Sequence, residues 1–261
     1  MSALLAVAGR DLRAVGRSRS QLYSSILLPL MLLALLGTGV SDGLDPAAIE
    51  DGDYTSFLVP GMIVMTALFS STFASASFYA DRANGMLRQM LVSPASMLSV
   101  LGGKVMGAVV IGTLQACVIL VVAVVIPGID LEWQYGVLPS LALALGAILA
   151  FNLLICTIAL VLATHIRTMQ GFHLVMNLVL FPLLFFSGAF FPVADLPLWL
   201  KLLAYVNPLT YPVDLLQLAL YAPDSDGQVG LVPDILVMVG LLALFAVPAL
   251  RVKPSRLIAA A

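Results

Sequence analysis

The stretch Gly102-Gly103-Lys104 is where this sequence comes nearest to a site for chemistry. A P-loop holds nucleotide phosphates with glycine amides, a lysine and a Ser or Thr that follows the lysine. Here Val105 follows the lysine, and the first glycine of the pattern is missing. The sequence therefore predicts no nucleotide site, and any ATP-driven function requires another polypeptide that binds ATP and Mg²⁺.

The other candidate reactive side chains are two cysteines and two histidines. Cys117 and Cys156 each lie within an apolar run, which favours packing over a disulfide or a metal site. His165 and His173 flank Arg167 without a paired acid or a metal-ligand spacing. An enzyme needs clustered acids, histidines or a nucleophile beside its base. We therefore expect no catalytic residue, cofactor or metal on this chain, and a membrane-embedded transferase is the weakest functional class.

The composition predicts an all-α integral membrane protein. Hydrophobic residues make up 61% of the 261 residues and charged residues 10%, whereas soluble domains carry about 25% charged residues. A helix needs about 20 apolar residues to cross a bilayer. Six predicted transmembrane helices cover residues 22–40, 57–79, 107–126, 138–163, 172–191 and 232–250.

The basic residues orient these spans, because lysine and arginine concentrate at the cytoplasmic ends of membrane helices. If the spans alternate in direction, Lys201 alone among the basic residues falls on the outer side. The acidic loop 42–53 also falls on that side. The pattern predicts a multi-pass protein with both termini in the cytoplasm.

The first 21 residues carry the pattern of an amphipathic helix. Basic residues cluster on the face opposite to the apolar one, at Arg10, Arg13 and Arg17. A helix with this division lies along a membrane surface before the first span. The apolar face comprises Leu4, Leu5, Ala8, Leu12 and Val15. The pattern fits a plain membrane anchor and a mechanical element equally well.

The cytoplasmic loop 80–106 is far longer than a turn requires. It contains a short predicted helix that ends at Ser93-Pro94, since a residue before proline avoids the α region. Met86, Leu87, Met90 and Leu91 share one face of this helix, and Arg82, Arg88 and Gln89 are its polar residues. The stripe predicts either a docking helix for a soluble partner or a connector that lies on the membrane.

The segment 192–220 is apolar but contains Pro192, Pro197, Pro208 and Pro212. Proline disfavours an unbroken helix, so we predict two short helices at 196–204 and 209–220 that enter the membrane and return on the outer side. Irregular backbone at this depth requires protein or water to satisfy its polar groups. A folded loop on the outer membrane surface is the alternative.

The predicted spans hold essentially no ionisable residue. Ion-coupled transporters usually place such residues near the middle of the membrane. The polar residues within the spans, including Gln115 and Asn152, are expected to hydrogen-bond between helices. Three classes therefore remain: a passive channel, a scaffold, and a transporter whose energy comes from outside the membrane.

Two segments together resemble the ABC-2 type membrane subunits of ATP-binding-cassette exporters. The first comprises Asp81-Arg82, Gly85-Met86-Leu87-Arg88, Leu91-Val92-Ser93-Pro94 and Gly103-Lys104. The second comprises Phe186-Ser187-Gly188-Ala189-Phe190-Phe191-Pro192, Leu196-Pro197-Leu198-Trp199, Asn207-Pro208-Leu209-Thr210-Tyr211 and Asp214. The family often has Glu at the position of Asp81 and Arg at that of Gln217; the second difference puts an Asp–Arg pair at the outer gate in doubt.

The resemblance implies one ABC-2 type transmembrane domain over residues 1–261, with three working parts. The amphipathic segment 1–21 becomes the connecting helix, which includes Arg10, Arg13 and Arg17. The loop 80–106 becomes the ATPase coupling segment, with Asp81, Arg82, Gly85, Met86, Leu87, Arg88, Leu91 and Pro94. The segment 192–220 and the residues before it become a re-entrant hairpin and outer gate, with Ser187, Gly188, Phe190, Pro192, Pro197, Asn207, Pro208, Tyr211 and Asp214.

The resemblance also implies the assembly and its cargo. A non-enzymatic permease in a prokaryotic cell membrane would pair with a second permease, expected to be another copy of this chain. Each permease would bind a separate ABC ATPase, which carries the ATP and Mg²⁺, and no nucleic acid is involved. The expected substrate is an amphipathic drug, an antibiotic or a lipid. Polysaccharide or glycolipid export and a channel or scaffold without ATP are the alternatives.

Overall fold

The computed structural model describes residues 3–41, 54–86, 89–90, 96–127, 129–163, 165–166, 168–193, 196–220 and 229–251. Helices account for most of these residues, and this part of the chain contains no strand. In chain order the helices are α1 Ala3–Arg17, α2 Arg19–Ser41, α3 Tyr54–Ser75, α4 Ser77–Ala83, α5 Met97–Val125, α6 Val137–Ala163, α7 Met169–Phe185, α8 Leu198–Val206, α9 Thr210–Leu220 and α10 Leu231–Leu250. The predicted all-α class is confirmed.

Four helical segments in the described chain are long and apolar enough to cross a membrane. They are Tyr54–Ala83, Leu98–Val125, Val137–Ala163 and Leu231–Leu250. Two further apolar helices, Tyr23–Gly37 and Met169–Phe185, are shorter. They lie where the first and fifth of the six predicted spans were placed, so the prediction of six crossings stays a prediction.

Helix α3 is the centre of the fold, and nearly all of its side chains are buried. It packs mainly against α2, α5 and α6. Hydrogen bonds cross the apolar core at two places: Ser25 Oγ donates to Gln115 Oε1 at 2.8 Å, and Ser71 Oγ donates to Asn152 Oδ1. The expectation that Gln115 and Asn152 join helices is therefore confirmed.

The prediction that the spans lack ionisable residues is wrong. Lys104 lies within Leu98–Val125, and Asp234 lies within Leu231–Leu250. Both side chains are buried, as are Asp11 on α1 and Asp214 on α9. The predicted third span begins at residue 107, whereas α5 begins at Met97 and includes Lys104, whose ammonium group lies within 3.2 Å of the Asp11 and Asp81 carboxylates.

Two glycines bring α1 into close contact with α5. A Cβ atom on Gly103 would lie 2.6 Å from the carbonyl oxygen of Leu4, and one on Gly107 would lie 3.4 Å from that of Ala8. Small residues four apart allow two helix backbones to approach. The amphipathic helix therefore packs its Ala8–Val15 side against a membrane-spanning helix.

The two ends of α3 reach two different parts of the molecule. Near its first residue, the Tyr54 hydroxyl donates to the carbonyl oxygen of Phe190 at 3.1 Å. Just past its last residue, Ser77 and Asp81 on α4 contact residues of α1 and α5. A helix of 22 residues is about 33 Å long, close to the roughly 30 Å of a bilayer core. These two parts therefore lie about one membrane thickness apart.

Gly103→Ala should destabilise the protein because its methyl group would press on the α1 backbone. Overpacking of this kind costs about 1–3 kcal/mol. Gly102→Ala is the matched control, since its Cβ would meet only Leu4 Cδ1 at 3.5 Å. Thermal unfolding of the purified variants measures the difference. Equal midpoints for the two variants would contradict this packing of α1 on α5.

Candidate functional site

Four charged side chains form an ionic cluster at the junction of α1, α4 and α5: Arg10, Asp11, Asp81 and Lys104. Arg10 Nη2 lies 2.6 Å from Asp11 Oδ1 and also pairs with Asp81 Oδ2. Lys104 Nζ lies 3.2 Å from Asp11 Oδ2 and 2.5 Å from Asp81 Oδ2. Each carboxylate therefore contacts both cations, and the cluster is neutral overall.

Burial gives these contacts their importance. The Asp11 and Lys104 side chains are each only 6% exposed, whereas that of Arg10 is 34% exposed. Burial lowers the pKa of Arg10, but its hydrogen bonds to Asp11 and Asp81 outweigh that effect and the pKa is raised. Removing one member of a buried ion pair leaves an uncompensated charge, which is strongly destabilising. The cluster therefore resists separation of α1, α4 and α5.

The chain leaves the ionic cluster through an exposed turn that leads toward the predicted coupling helix. Asn84 ends α4, and Gly85 adopts a φ of 70°, which glycine tolerates more readily than other residues. Met86 is 41% exposed, and its sulfur contacts Arg10 Nη1. Four predicted coupling residues lie outside the described residues: Leu87, Arg88, Leu91 and Pro94.

Arg82 occupies a different position from the exposed turn, because its side chain is buried against the end of α6. Its Nη1 atom lies 3.5 Å from the carbonyl oxygen of Ala163 and 3.4 Å from that of Ile166. Its guanidinium carbon lies 5.8 Å from the centre of the Phe78 ring. Carbonyl groups at a helix C-terminus attract cations. Arg82 thus joins α4 to α6.

On the connecting helix, the three predicted arginines have different environments. Arg10 belongs to the ionic cluster, whereas Arg13 and Arg17 are exposed. Arg13 Nε donates to the carbonyl oxygen of Gly9 at 3.0 Å, within the same helix. Arg10 therefore connects α1 to α4, whereas Arg13 and Arg17 lie on the exposed polar face of α1.

The stretch Leu198–Leu220 forms a helical hairpin, in which residues 207–209 join α8 to α9. Asn207 organises this turn: its Oδ1 accepts from the Leu209 amide at 2.9 Å, and its Nδ2 donates to the carbonyl oxygen of Leu183 on α7. Thr210 Oγ1 donates to the carbonyl oxygen of Ala204 at 2.7 Å. These bonds satisfy backbone groups where helical bonding stops.

The two hairpin helices have different surroundings. Most side chains of α9 are buried, and the helix packs against α3, α6 and α10. By contrast, α8 exposes Leu198, Trp199 and Val206, with exposures of 74%, 63% and 83%. The hairpin is thus one interior helix and one surface helix, and its depth in the membrane stays a prediction.

The residues before the hairpin anchor it to α3 and α9. Gly188 has a φ of 84°, and its carbonyl oxygen accepts from Gln217 Nε2 at 3.1 Å. The Phe190 ring stacks on Phe185 with their centres 4.8 Å apart. A Cβ atom on Gly61 of α3 would lie 2.5 Å from the carbonyl oxygen of Ala189. The stretch 187–190 therefore packs closely against α3.

The remaining outer-gate candidates lie within the stretch 187–190 or after it in the chain. Ser187 is buried and donates to the carbonyl oxygen of Leu184 at 2.6 Å. Pro192 and Pro208 are partly buried, and Pro197 caps α8. Tyr211 donates its hydroxyl to the carbonyl oxygen of Tyr205, and Asp214 Oδ2 accepts from the Val229 amide at 2.8 Å.

Sequence reasoning missed two members of the ionic cluster, Asp11 and Lys104, as functional candidates. A signal for Asp11 was present, because Ala8, Asp11 and Val15 recur at intervals of three and four and therefore share one face. A charge on the apolar face of an amphipathic helix indicates a buried partner. Lys104 stands between Gly103 and Gly107, the two residues that bring α1 close.

A small cavity opens beside the ionic cluster, between α3, α4, α5 and α6. Its polar lining includes Lys104, Ser75 and Ser77, and its apolar lining includes Phe78 and Cys156. Among the described residues, no group of His, Cys, Asp and Glu side chains could hold a metal ion. The cavity's lining is mostly apolar.

Comparison with known proteins identifies the group to which this fold belongs. The family described as ABC-2 type transporter matches residues 2–221, which include the ionic cluster and the helical hairpin. The chain belongs to the ABC-2 type transporter family. The matched region contains every described helix except α10.

Three similar proteins carry transport-related or nodulation names. A transport permease named ycf38, from Cyanophora paradoxa, is 31% identical over 74% of this chain. YbhR of Escherichia coli strain K12, named as a multidrug ABC transporter permease, is 28% identical over 62% of it. Nodulation protein J of Rhizobium meliloti strain 1021 is 28% identical over 71% of this chain and 69% of its own length. The chain covers 65% of the first relative and 43% of the second.

Lys104→Met should destabilise the protein by about 3–5 kcal/mol, because two buried carboxylates would then share one cation. The double variant Asp11→Leu with Lys104→Met should recover most of that loss, since Arg10 and Asp81 would remain as a pair. Arg13→Met on the exposed face of α1 is the control. Thermal unfolding of the four proteins, wild type included, completes the comparison. A double variant that is no more stable than Lys104→Met would refute the ionic cluster as a unit.

Asn207→Ala should destabilise the hairpin, because the buried Leu209 amide and Leu183 carbonyl group would lose their partner. Such a loss costs about 1–3 kcal/mol. Asn84→Ala is a matched control, since Asn84 also follows the last residue of a helix but is exposed. The midpoint of thermal unfolding should fall clearly for Asn207→Ala and stay close to that of the wild type for Asn84→Ala. A similar midpoint for both would mean that Asn207 does not hold the turn.

Proposed function

We propose that this chain is the permease subunit of an ATP-driven exporter, without enzymatic activity of its own. The observation that carries the proposal is the ionic cluster, which joins the amphipathic helix and the start of the coupling segment to a membrane-spanning helix. Membership of the ABC-2 type transporter family supports it. A separate ABC ATPase supplies the nucleotide site, with its ATP and Mg²⁺.

The ionic cluster provides a route for mechanical coupling. An ATPase bound at residues 80–106 would move the segment that begins with Asp81. Asp81 contacts both Arg10 on α1 and Lys104 on α5, so displacement of one element would draw the other two with it. ATP binding would then favour one arrangement of the membrane helices over another, as a population shift driven by differential affinity.

The helical hairpin is the proposed outer gate of the transport path. It lies at the end of α3 opposite to the ionic cluster, about 33 Å away by helix length. Gly61 and Tyr54 hold residues 187–190 against α3. A shift of α3 started at the ionic cluster would therefore reach the hairpin without an intervening flexible segment.

The proposed substrate is an amphipathic small molecule of drug or antibiotic type, or a lipid. The described interior is mainly apolar, with phenylalanine, methionine, serine and threonine side chains. One relative is named as a multidrug ABC transporter permease, and others are named nodulation protein J. A polysaccharide or glycolipid substrate is the alternative within the same family.

The proposed assembly is a dimer of two permease copies with two ATPase subunits, in the inner or plasma membrane of a prokaryote. Both termini face the cytoplasm in this proposal. The exposed arginines of α1, Arg13 and Arg17, support that orientation because basic residues concentrate on the cytoplasmic side. Substrate would leave on the side of the hairpin.

Leu87→Asp should abolish association with the ATPase while the permease still inserts in the membrane. The change places a charge on the apolar stripe that the sequence predicts for the coupling helix. Gln89→Asp introduces the same charge at a polar residue of that helix and is the matched control. The measurement is co-purification of a P-loop-bearing chain at near-equal stoichiometry from mildly solubilised native membranes.

The outcomes separate the proposed function from its alternatives. An ATPase captured by wild type and Gln89→Asp but lost in Leu87→Asp supports the coupled exporter. Retention of the ATPase by Leu87→Asp refutes the assignment of the coupling residues but leaves the proposal of an exporter standing. A wild-type permease that repeatedly purifies without an ATPase refutes the exporter and favours a channel or a scaffold.

A further inference from the structure

We propose that Asp214 and Asp234 form a proton-binding site, in which one proton is shared between two carboxyl groups. Asp214 lies on α9 and Asp234 in the first turn of α10. Both residues are fully buried, each with an exposed fraction of 0%. Neither belongs to the ionic cluster, so the proposal goes beyond the transport function.

The Asp234 carboxyl group is buried without the hydrogen-bond partner that a buried polar group needs. Both of its carboxylate oxygens are buried, and neither has a hydrogen-bond partner among the described residues. The group that its carboxyl approaches is the carboxyl of Asp214. Two ionised carboxylates offer only acceptors to each other. A hydrogen bond between them therefore exists only if one of them carries a proton.

The cation that suits this position is a proton. Bringing two like charges together in a buried site strongly disfavours ionisation of both. Calcium and magnesium require about six oxygen ligands, and the described residues include no group of three acidic, cysteine or histidine side chains that could hold a metal. A single proton needs no space beyond the hydrogen bond itself.

The helices packed around Asp234 carry no basic side chain that could compensate a negative charge on its carboxyl group. Helix α10 packs against α6 and α9, and α9 also packs against α3; none of these four helices contains a lysine or an arginine. The titratable side chains on them are Tyr54, Cys156 and Tyr211, and those of the connection before α6 include Asp130 and Glu132.

The two tyrosines of α3 and α9 that were named above, Tyr54 and Tyr211, are already engaged in hydrogen bonds. The Tyr54 hydroxyl donates to the carbonyl oxygen of Phe190, and the Tyr211 hydroxyl donates to that of Tyr205. Asp214 already accepts a hydrogen bond from the Val229 amide, whereas neither oxygen of Asp234 has a partner among the described residues. The proton is therefore assigned to Asp234, which donates it to Asp214.

The shared proton joins the interior helix of the hairpin to α10. Loss of the proton would place two negative charges side by side in a buried position, and their repulsion would favour separation of α9 from α10. Intramembrane acids commonly mark functional sites. The position of this pair next to the hairpin makes the packing of the proposed outer gate dependent on pH.

Infrared spectroscopy of the purified protein in lipid tests the proposal, because a protonated carboxyl group has a C=O stretching band that an ionised one lacks. At neutral pH the wild type should show such a band, shifted in ²H₂O and lost at alkaline pH. Asp234→Asn should abolish it, and Asp214→Asn should move it because the proton acceptor becomes an amide. Asp130→Asn, at an exposed carboxylate, should leave it unchanged.

Two results would overturn the proton site. One is a wild type without a protonated carboxyl band at neutral pH, and the other is a band that Asp234→Asn leaves in place. If Asp234→Asn aggregates on gel filtration, the wild-type pH titration and Asp214→Asn decide the matter. A band that Asp214→Asn does not move would then refute the shared proton. None of these results depends on an ATPase or a transport assay.

Discussion

Compensation of buried charge at the junction of α1, α4 and α5 is the constraint on which the rest of this structure depends. Asp11 and Lys104 lie on helices that are otherwise apolar at their contact, and each would be costly to bury alone. Together with Arg10 and Asp81 they become a neutral unit. The amphipathic helix is therefore packed on α5 by charge pairing as well as by the close approach at Gly103 and Gly107. Helix α1 is a structural part of the domain, beyond its affinity for a membrane surface.

Close contacts at glycines extend this arrangement across the apolar core. Gly61 meets the Ala189 backbone at one end of α3, and Gly112 lies against the Asn152 and Ser71 side chains near the other. Because neither glycine has a side chain, the neighbouring segments approach closely. Packed interiors switch between discrete arrangements more readily than they deform. This property suits a permease whose two ends, about 33 Å apart by helix length, must change together.

The two ends solve the same electrostatic problem in different ways. At the ionic cluster, two cations compensate two carboxylates within 3.2 Å. At the contact of α9 with α10, the helices that surround Asp214 and Asp234 contain no lysine or arginine, and the proposed compensation is a proton. Ion pairs with arginine persist over a wide pH range because arginine remains protonated. A shared proton is lost at high pH, which gives the hairpin end a sensitivity that the ionic cluster lacks.

Composition and periodicity by themselves determined the helical membrane class, the amphipathic helix at 1–21 and the two short helices around Asn207, because these depend on local patterns of apolar residues and proline. Arg10, Arg13 and Arg17 were named from the polar face of the amphipathic helix, whereas the residues of the outer gate were named from the resemblance to a family. Only the tertiary structure decided that Asp81 pairs with Arg10 and Lys104, that Arg82 is buried against α6, and that Asp234 faces Asp214. These partners are between 20 and 84 residues apart in the chain. Whether a charge lies in water or in a buried pair depends on which helices pack together, and a pattern within one helix does not contain that information.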